Sequence, residues 1–187
     1  MRSALPSSWS PIASRASRSE VQTVDREVRT PKGRTLLVEE GGDRRGQPVL
    51  VLAGSPNSRH LFGQQLELAE KQGIRLIGYD RPGYGGSSPD PGRTVADVAA
   101  DVCCLADTLG LEHFALWGIS GGGPHALACA ALLQGRAVAV ASLASPAPFD
   151  APGLDYFAGM GELNVEDTKL MLTDPAAARR NPSPIAG

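Results

Sequence analysis

Ser120 is bracketed by glycines in the run Gly118-Ile119-Ser120-Gly121-Gly122. The apolar stretch Phe114-Ala115-Leu116-Trp117 precedes it and an alanine-rich, helix-like stretch follows. The serine therefore falls at a strand-to-helix turn, the setting that makes a G-x-S-x-G pattern informative. A turn this tight holds its central residue in strained backbone. A Cβ two residues to either side would collide there, so glycine is required. The hydroxyl then projects from the carboxyl edge of a sheet, with the next residue's N–H aimed at the same point. The chemistry this allows is attack by a serine oxygen, provided that a base within hydrogen-bond reach takes its proton.

The elements that must position this turn can be read from periodicity. Val21–Thr30 alternates apolar and polar residues, and Pro31-Lys32-Gly33 turns the chain into Arg34–Glu39, which predicts a β-hairpin with one wet face. After the loop Gly41–Gln47, the continuous apolar runs Pro48–Ala53 and Ile74–Tyr79 predict strands buried on both faces. Between them, Leu61–Gln72 has helical spacing through Leu61, Leu66 and Leu68-Ala69, and Gly73 ends it. Asp80–Gly92 is a loop. Thr94 is placed to cap a helix whose stripe runs through Val95, Val98, Val102, Leu105 and Leu109. Strand Phe114–Trp117, helix Pro124–Leu133 and strand Ala137–Leu143 follow. This alternation predicts an α/β fold: a mostly parallel sheet with helices on both faces, preceded by a β-hairpin. Ligands of such sheets bind beyond the carboxyl ends of the strands, where Gly54–Arg59, Asp80–Ser88, Ser120 and Ser145–Asp150 all fall.

Composition narrows the class of partner. The 187 residues carry a formal charge of −2, which argues against nucleic acid or an anionic membrane as an obligate partner. A small-molecule substrate is expected instead. The three cysteines, Cys103, Cys104 and Cys129, form no disulfide pattern and fit a cytoplasmic location. No His, Cys and carboxylate cluster has metal-ligand spacing, so neither a metal nor a cofactor is expected. Residues 1–20 are rich in Ser, Arg and Pro and read as a disordered extension. Residues 21–150 are expected to form the core, and 151–187 a lid start and an irregular tail.

Taken together, these stretches resemble the α/β-hydrolase superfamily, in particular its small capped esterase and peptidase-like members. Ala53-Gly54-Ser55-Pro56 is similar to the family's His-Gly-x-Pro loop after the third strand, with Ala53 departing from the usual histidine. Asp80-Arg81-Pro82-Gly83-Tyr84-Gly85-Gly86-Ser87 resembles the D-x-P-G-x-G-x-S loop, and Trp117–Pro124 the nucleophile segment. Ser145-Pro146-Ala147-Pro148 resembles the loop after the sixth strand, and Leu154–Gly161 the start of a lid. The resemblance implies a serine hydrolase acting on an ester, amide or similar small substrate. Ser120 would be the nucleophile, the N–H groups of Gly121 and Ser55 would form the oxyanion hole, and Asp80 would close its own loop. Leu154, Tyr156, Phe157 and Met160 would line an apolar wall.

In that superfamily an acid and then a histidine follow the serine on downstream loops. The three histidines here, His60, His113 and His125, all precede residue 126. His113 is expected at the opposite sheet edge, and His125 on a helix that carries it away from the hydroxyl. His60, opening a helix near the oxyanion loop, is the one stand-in base. Asp150 is either an acid or a hinge. Glu162–Leu172 and Asp174–Arg180 read as helices before a Pro-rich tail, Asn181–Gly187, so the expectation is a hydrolase cut short after its sixth strand. Such a chain would have little triad-dependent activity, and its last strand, with Val138, Val140 and Leu143, would be an edge open to self-association. A cofactor-free peroxidase-like hydrolase would need the same downstream histidine, and two alternatives outside catalysis remain. One is a non-catalytic binding or assembly protein of the same fold. The other is a nucleotide-binding module, since Gly121–Ala126 also fits G-x-G-x-x-A, although no acid stands about 20 residues on.

Overall fold

A computed structural model describes residues 22–180. The expected extension at 1–20 and the tail Asn181–Gly187 lie outside those residues. The described elements run β1 (Val24–Arg29), β2 (Thr35–Gly42), β3 (Gln47–Leu52), α1 (Gly63–Lys71), β4 (Ile74–Tyr79), α2 (Val98–Thr108), β5 (Phe114–Ile119), α3 (Gly123–Leu132), β6 (Ala137–Leu143), α4 (Glu162–Thr173) and α5 (Pro175–Arg180). The strands form one sheet in the order β1-β2-β4-β3-β5-β6. β1, β2 and β4 pair antiparallel, whereas β3 pairs parallel with both β4 and β5, and β5 with β6.

That order matters for function. From β3 the chain goes to β4 on one side, then crosses to β5 on the other. Their carboxyl ends therefore part at a topological switch point, where open α/β sheets leave a crevice. The register places Val51 beside Trp117 and Leu52 beside Gly118, so the loops after β3 and β5 emerge side by side.

Alternation along the strands divides the core. Leu50 and Leu52 of β3, Ile77 and Tyr79 of β4 and Leu116 of β5 pack with Val98, Val102 and Leu105 of α2 and Ala126 and Cys129 of α3. On the other face, Val51, Leu66, Ala69 and Leu76 form a smaller cluster beneath α1. α1 covers only part of that face. An apolar groove of about 450 Å³ stays open beside it, lined by Leu68, Trp117, Val140 and Leu143 among others.

Three expectations need correction. Leu68 does not join the buried stripe of α1; it is exposed and borders this groove. Thr94 does not cap α2. The helix begins at Val98 after Asp97, whose carboxylate accepts hydrogen bonds from Thr94 N and Oγ1 at 2.6 and 2.7 Å. Val95 lies before the helix and is exposed. The sequence also hides a buried ion pair. Asp101, on α2, is 3% exposed and bonds Arg34, which drops in from the β1–β2 turn side. No periodicity rule anticipates a carboxylate at a core position.

Candidate active site

β5 ends in the serine turn. Ser120 has φ of +49°, in the left-handed region that side chains rarely occupy, and it is exposed. The neighbouring glycines permit the turn through space rather than conformation. A Cβ on Gly118 would lie 2.7 Å from Gly123 Cα, and one on Gly122 would lie 1.8 Å from the carbonyl oxygen of Leu52. A Cβ on Gly123 would lie 1.7 Å from Ser145 Oγ, in the loop after β6. The turn is thus pressed against the ends of β3 and β6, and any larger residue would push it outward. A single 3₁₀ turn, Ser120–Gly122, leads into α3. Pro124 sits in the first turn of α3, where its missing N–H costs nothing.

The loop after β3 meets this turn. A Cβ on Gly54 would lie 3.0 Å from Ser120 Cβ, and one on Gly121 would lie 3.5 Å from Ser55 N. Ser55, Gly121 and Ser120 are therefore brought together at the switch point, Ser55 exposed beside the hydroxyl. Ser55 Oγ also reaches Tyr84 Oη at 3.0 Å.

The loop after β4 holds the floor. Asp80 is fully buried, and its carboxylate accepts from Gly86 N (3.0 Å) within its own loop and from Arg59 N (2.7 Å) and Arg59 Nη1 (2.9 Å) outside it. Gly85 fits only because it has no side chain, since a Cβ there would lie 2.0 Å from Asp80 Oδ2. Ser87 and Ser88 hydroxyls accept from Leu37 N and Thr35 N, tying the loop to β2. Arg81, 5% exposed, turns the other way: Nη2 donates to Ser55 Oγ (3.1 Å) and Nη1 to the Gly121 carbonyl (3.2 Å). This bridging arginine was not anticipated from sequence.

The histidines stand elsewhere. His60 does not open α1, which starts at Gly63. It lies in the preceding loop, exposed, with Nδ1 3.5 Å from Glu39 Oε2. His113 is exposed before β5, at the strand end opposite Ser120. His125 is buried on α3 with Nδ1 unpartnered. Burial, reinforced by the Arg81 charge, pushes its imidazole down to about 4. It stays neutral near pH 7 and is a weak base. Beyond β6, Phe149, Tyr156 and Phe157 form an edge-to-face aromatic cluster with centroids 5.0 to 5.8 Å apart. The three cysteines are free thiols, and burial pushes Cys129 up to about 12. Among the described residues no helix is long and apolar enough to cross a membrane.

Comparison with known proteins agrees with this arrangement. Residues 47–173 match the alpha/beta hydrolase fold family model, and the chain belongs to that family. It is 35% identical over 144 residues to the AB hydrolase superfamily protein YisY of Bacillus subtilis (strain 168), covering 75% of this chain and 52% of that one. It is 33% identical over 122 residues to the non-heme chloroperoxidase of Streptomyces lividans, covering 65% and 44%. The chain thus spans about half the length of these relatives. Among solved structures, epoxide hydrolase A from Mycobacterium thermoresistibile superposes with a TM-score of 0.58 at 28% identity, covering 65% of this chain and 39% of that one.

Proposed function

We propose that this protein is a serine hydrolase of an ester, amide or similar small acyl substrate. Ser120 Oγ attacks the carbonyl carbon, its proton leaves to a base, and the carbonyl π pair moves onto oxygen. The N–H groups of Ser55 and Gly121 receive that oxyanion. Each such donor supplies roughly 3–4 kcal/mol where its removal has been measured in related enzymes. The single observation that carries this reading is the exposed Ser120 at φ +49°, beside Ser55 N and Gly121 at the switch point. Binding a nucleotide would not call for a strained hydroxyl there.

None of the described histidines stands where it could take the Ser120 proton. His60 faces Glu39, His113 lies at the far end of β5 and His125 is buried and weakly basic. Turnover by this chain is expected to be residual, at most about 10³–10⁴ over water, the level that oxyanion binding sustains without a triad. A small-molecule substrate and a second copy of the chain at the β6 edge are the partners proposed, and the free thiols support a reducing, cytoplasmic setting. A fluorophosphonate probe tests the central point. Covalent mass that builds up slowly at Ser120, with solvent taking the proton, and is lost in Ser120→Ala is the expected result. Absence of labelling would favour an incomplete catalyst, and labelling that persists in Ser120→Ala would reject the serine assignment.

A further inference from the structure

Arg81 is a buried cation in an unusual position. Arg34, Arg59 and Arg75, the other deeply placed arginines, each pair with a carboxylate, Asp101, Asp80 and Glu40 respectively. Among the described residues no carboxylate forms an ion pair with Arg81. Instead its two terminal nitrogens bond Ser55 Oγ and the Gly121 carbonyl, and its guanidinium lies 4.7 Å from the Tyr84 ring centroid. Removing a charge from water without an opposite charge is costly, so a fold that tolerates this has a reason to place a cation there.

The sheet order shows what the side chain does. Arg81 follows β4, Ser55 follows β3 and Gly121 follows β5, and β3 lies between β4 and β5. The guanidinium thus crosses the end of β3 to reach the loop beyond it, over two strand spacings of about 4.8 Å each. Arginine suits this span, because its planar fork offers several donors in fixed directions at the end of a long stem.

We propose that Arg81 is a positioning residue of the oxyanion site. It fastens the Ser55 loop to the Gly121 turn, so that their two N–H groups converge, and it leaves a positive charge behind the place where negative charge develops. Bonding the Gly121 carbonyl fixes the peptide plane after that residue, and bonding Ser55 Oγ fixes the loop that carries the other donor. The charge has no carboxylate to neutralise it until substrate forms an oxyanion. Then the unpaired cation becomes an asset, since a charge already buried and fixed in place needs no reorganisation to stabilise the one that develops beside it. The inference rests on the reading of Ser55 and Gly121 as oxyanion donors.

Two measurements on the 187-residue chain separate this inference from that reading. The first is the rate of fluorophosphonate labelling at Ser120 in wild type, Arg81→Met and Arg81→Lys. Arg81→Met should lower the maximal labelling rate about 100-fold, the scale of losing one oxyanion donor, while half-saturating probe concentration changes little. Arg81→Lys keeps the charge but not the two-ended bridge and should fall in between, and methylguanidinium should partly restore an Arg81→Ala variant. The second measurement is amide hydrogen exchange at Ser55 and Gly121, which should quicken in Arg81→Met and not at Leu50 or Leu116 in the core. Labelling of Arg81→Met within about 3-fold of wild type, with wild type itself labelled, overturns the role of Arg81 and leaves Ser120 as nucleophile. Should wild type not be labelled, an incomplete catalyst is favoured, and exchange alone decides: unchanged rates at both amides remove the clamp, faster rates keep it.

Discussion

Lowering the pH from 7 to 5 should destabilise this protein through His125 before its carboxylates contribute. The imidazole is 7% exposed, and burial together with the Arg81 and Arg93 charges holds it down to about 4, against an ordinary value of 6.5. The unfolded chain therefore binds a proton near pH 6.5 that the native state refuses until about pH 4. Between those values the unfolded state carries more protons, so stability rises with pH and is lost on acidification. Worked through for one site, the loss between pH 7 and pH 5 is about 2 kcal/mol, approaching about 3 kcal/mol below pH 4. Asp25, held low by its hydrogen bond to Arg59, and Asp97, held low by Thr94, act with the same sign but below their ordinary value of 3.8. They leave the window from pH 7 to 5 to the histidine. Urea denaturation followed by tryptophan fluorescence, at half-unit pH steps, gives the slope directly. In His125→Leu the slope should flatten across that window, whatever the variant's stability at pH 7. Equal slopes in the two proteins would show that the imidazole is protonated inside the fold, and the account of it as a neutral packing residue would be wrong.

Two further outcomes follow from the geometry. Gly122→Ala should cost about 3 kcal/mol or more, because the new Cβ would sit 1.8 Å from the Leu52 carbonyl oxygen, whereas Gly83→Ala, at φ +84° in open space, should cost only about 1 kcal/mol; matching urea midpoints would contradict this contrast. Val138, Val140 and Leu143 are 64%, 40% and 49% exposed on β6, so the protein should sediment as dimers or larger species, and Val138→Lys with Val140→Lys should shift it toward monomer; a monodisperse wild-type monomer would refute the edge as an association surface.

The parts of this fold that sequence made legible are those fixed by local geometry. The strand before Ser120, the glycines around it and the helix after it are contiguous, so one stretch of chain states the whole turn. The buried strands β3 and β4 announced themselves as unbroken apolar runs. The role proposed for Ser55 came from resemblance, since no local rule ties residue 55 to residue 121. Arg81 was missed for a related reason. Its partners sit on the loops after β3 and β5, and nothing in Asp80-Arg81-Pro82 shows that β3 will lie between β4 and β5. Asp101 gave no signal because its place in the core depends on Arg34, from a distant part of the chain, and His60 was misplaced because α1 starts at Gly63 rather than at Leu61, where its apolar spacing suggested. The left-handed backbone at Ala144, φ +49° at the end of β6, had no signal, because alanine is an unlikely residue for it.

The same distinction separates the proposed oxyanion site from the proton acceptor among the described residues. The proposed nucleophile and both proposed donors are backbone or nearly so, and they sit at the ends of β3 and β5, strands with neighbours on both sides. Interior strands cannot shift without breaking two ladders of hydrogen bonds, so atoms at their ends are fixed by the sheet itself. Arg81 and Asp80 extend that rigidity to the loop after β4. A base, by contrast, acts through the far end of a side chain and needs an orienting partner of its own. The described histidines find such partners, where they have them, away from the hydroxyl. A sheet can therefore prepare the place where charge will develop while leaving open where the proton goes. For that reason, a fluorophosphonate, which forms one bond to the serine and releases its proton only once, is a fairer test of this site than repeated turnover of an ester, and its rate still reports how that proton leaves.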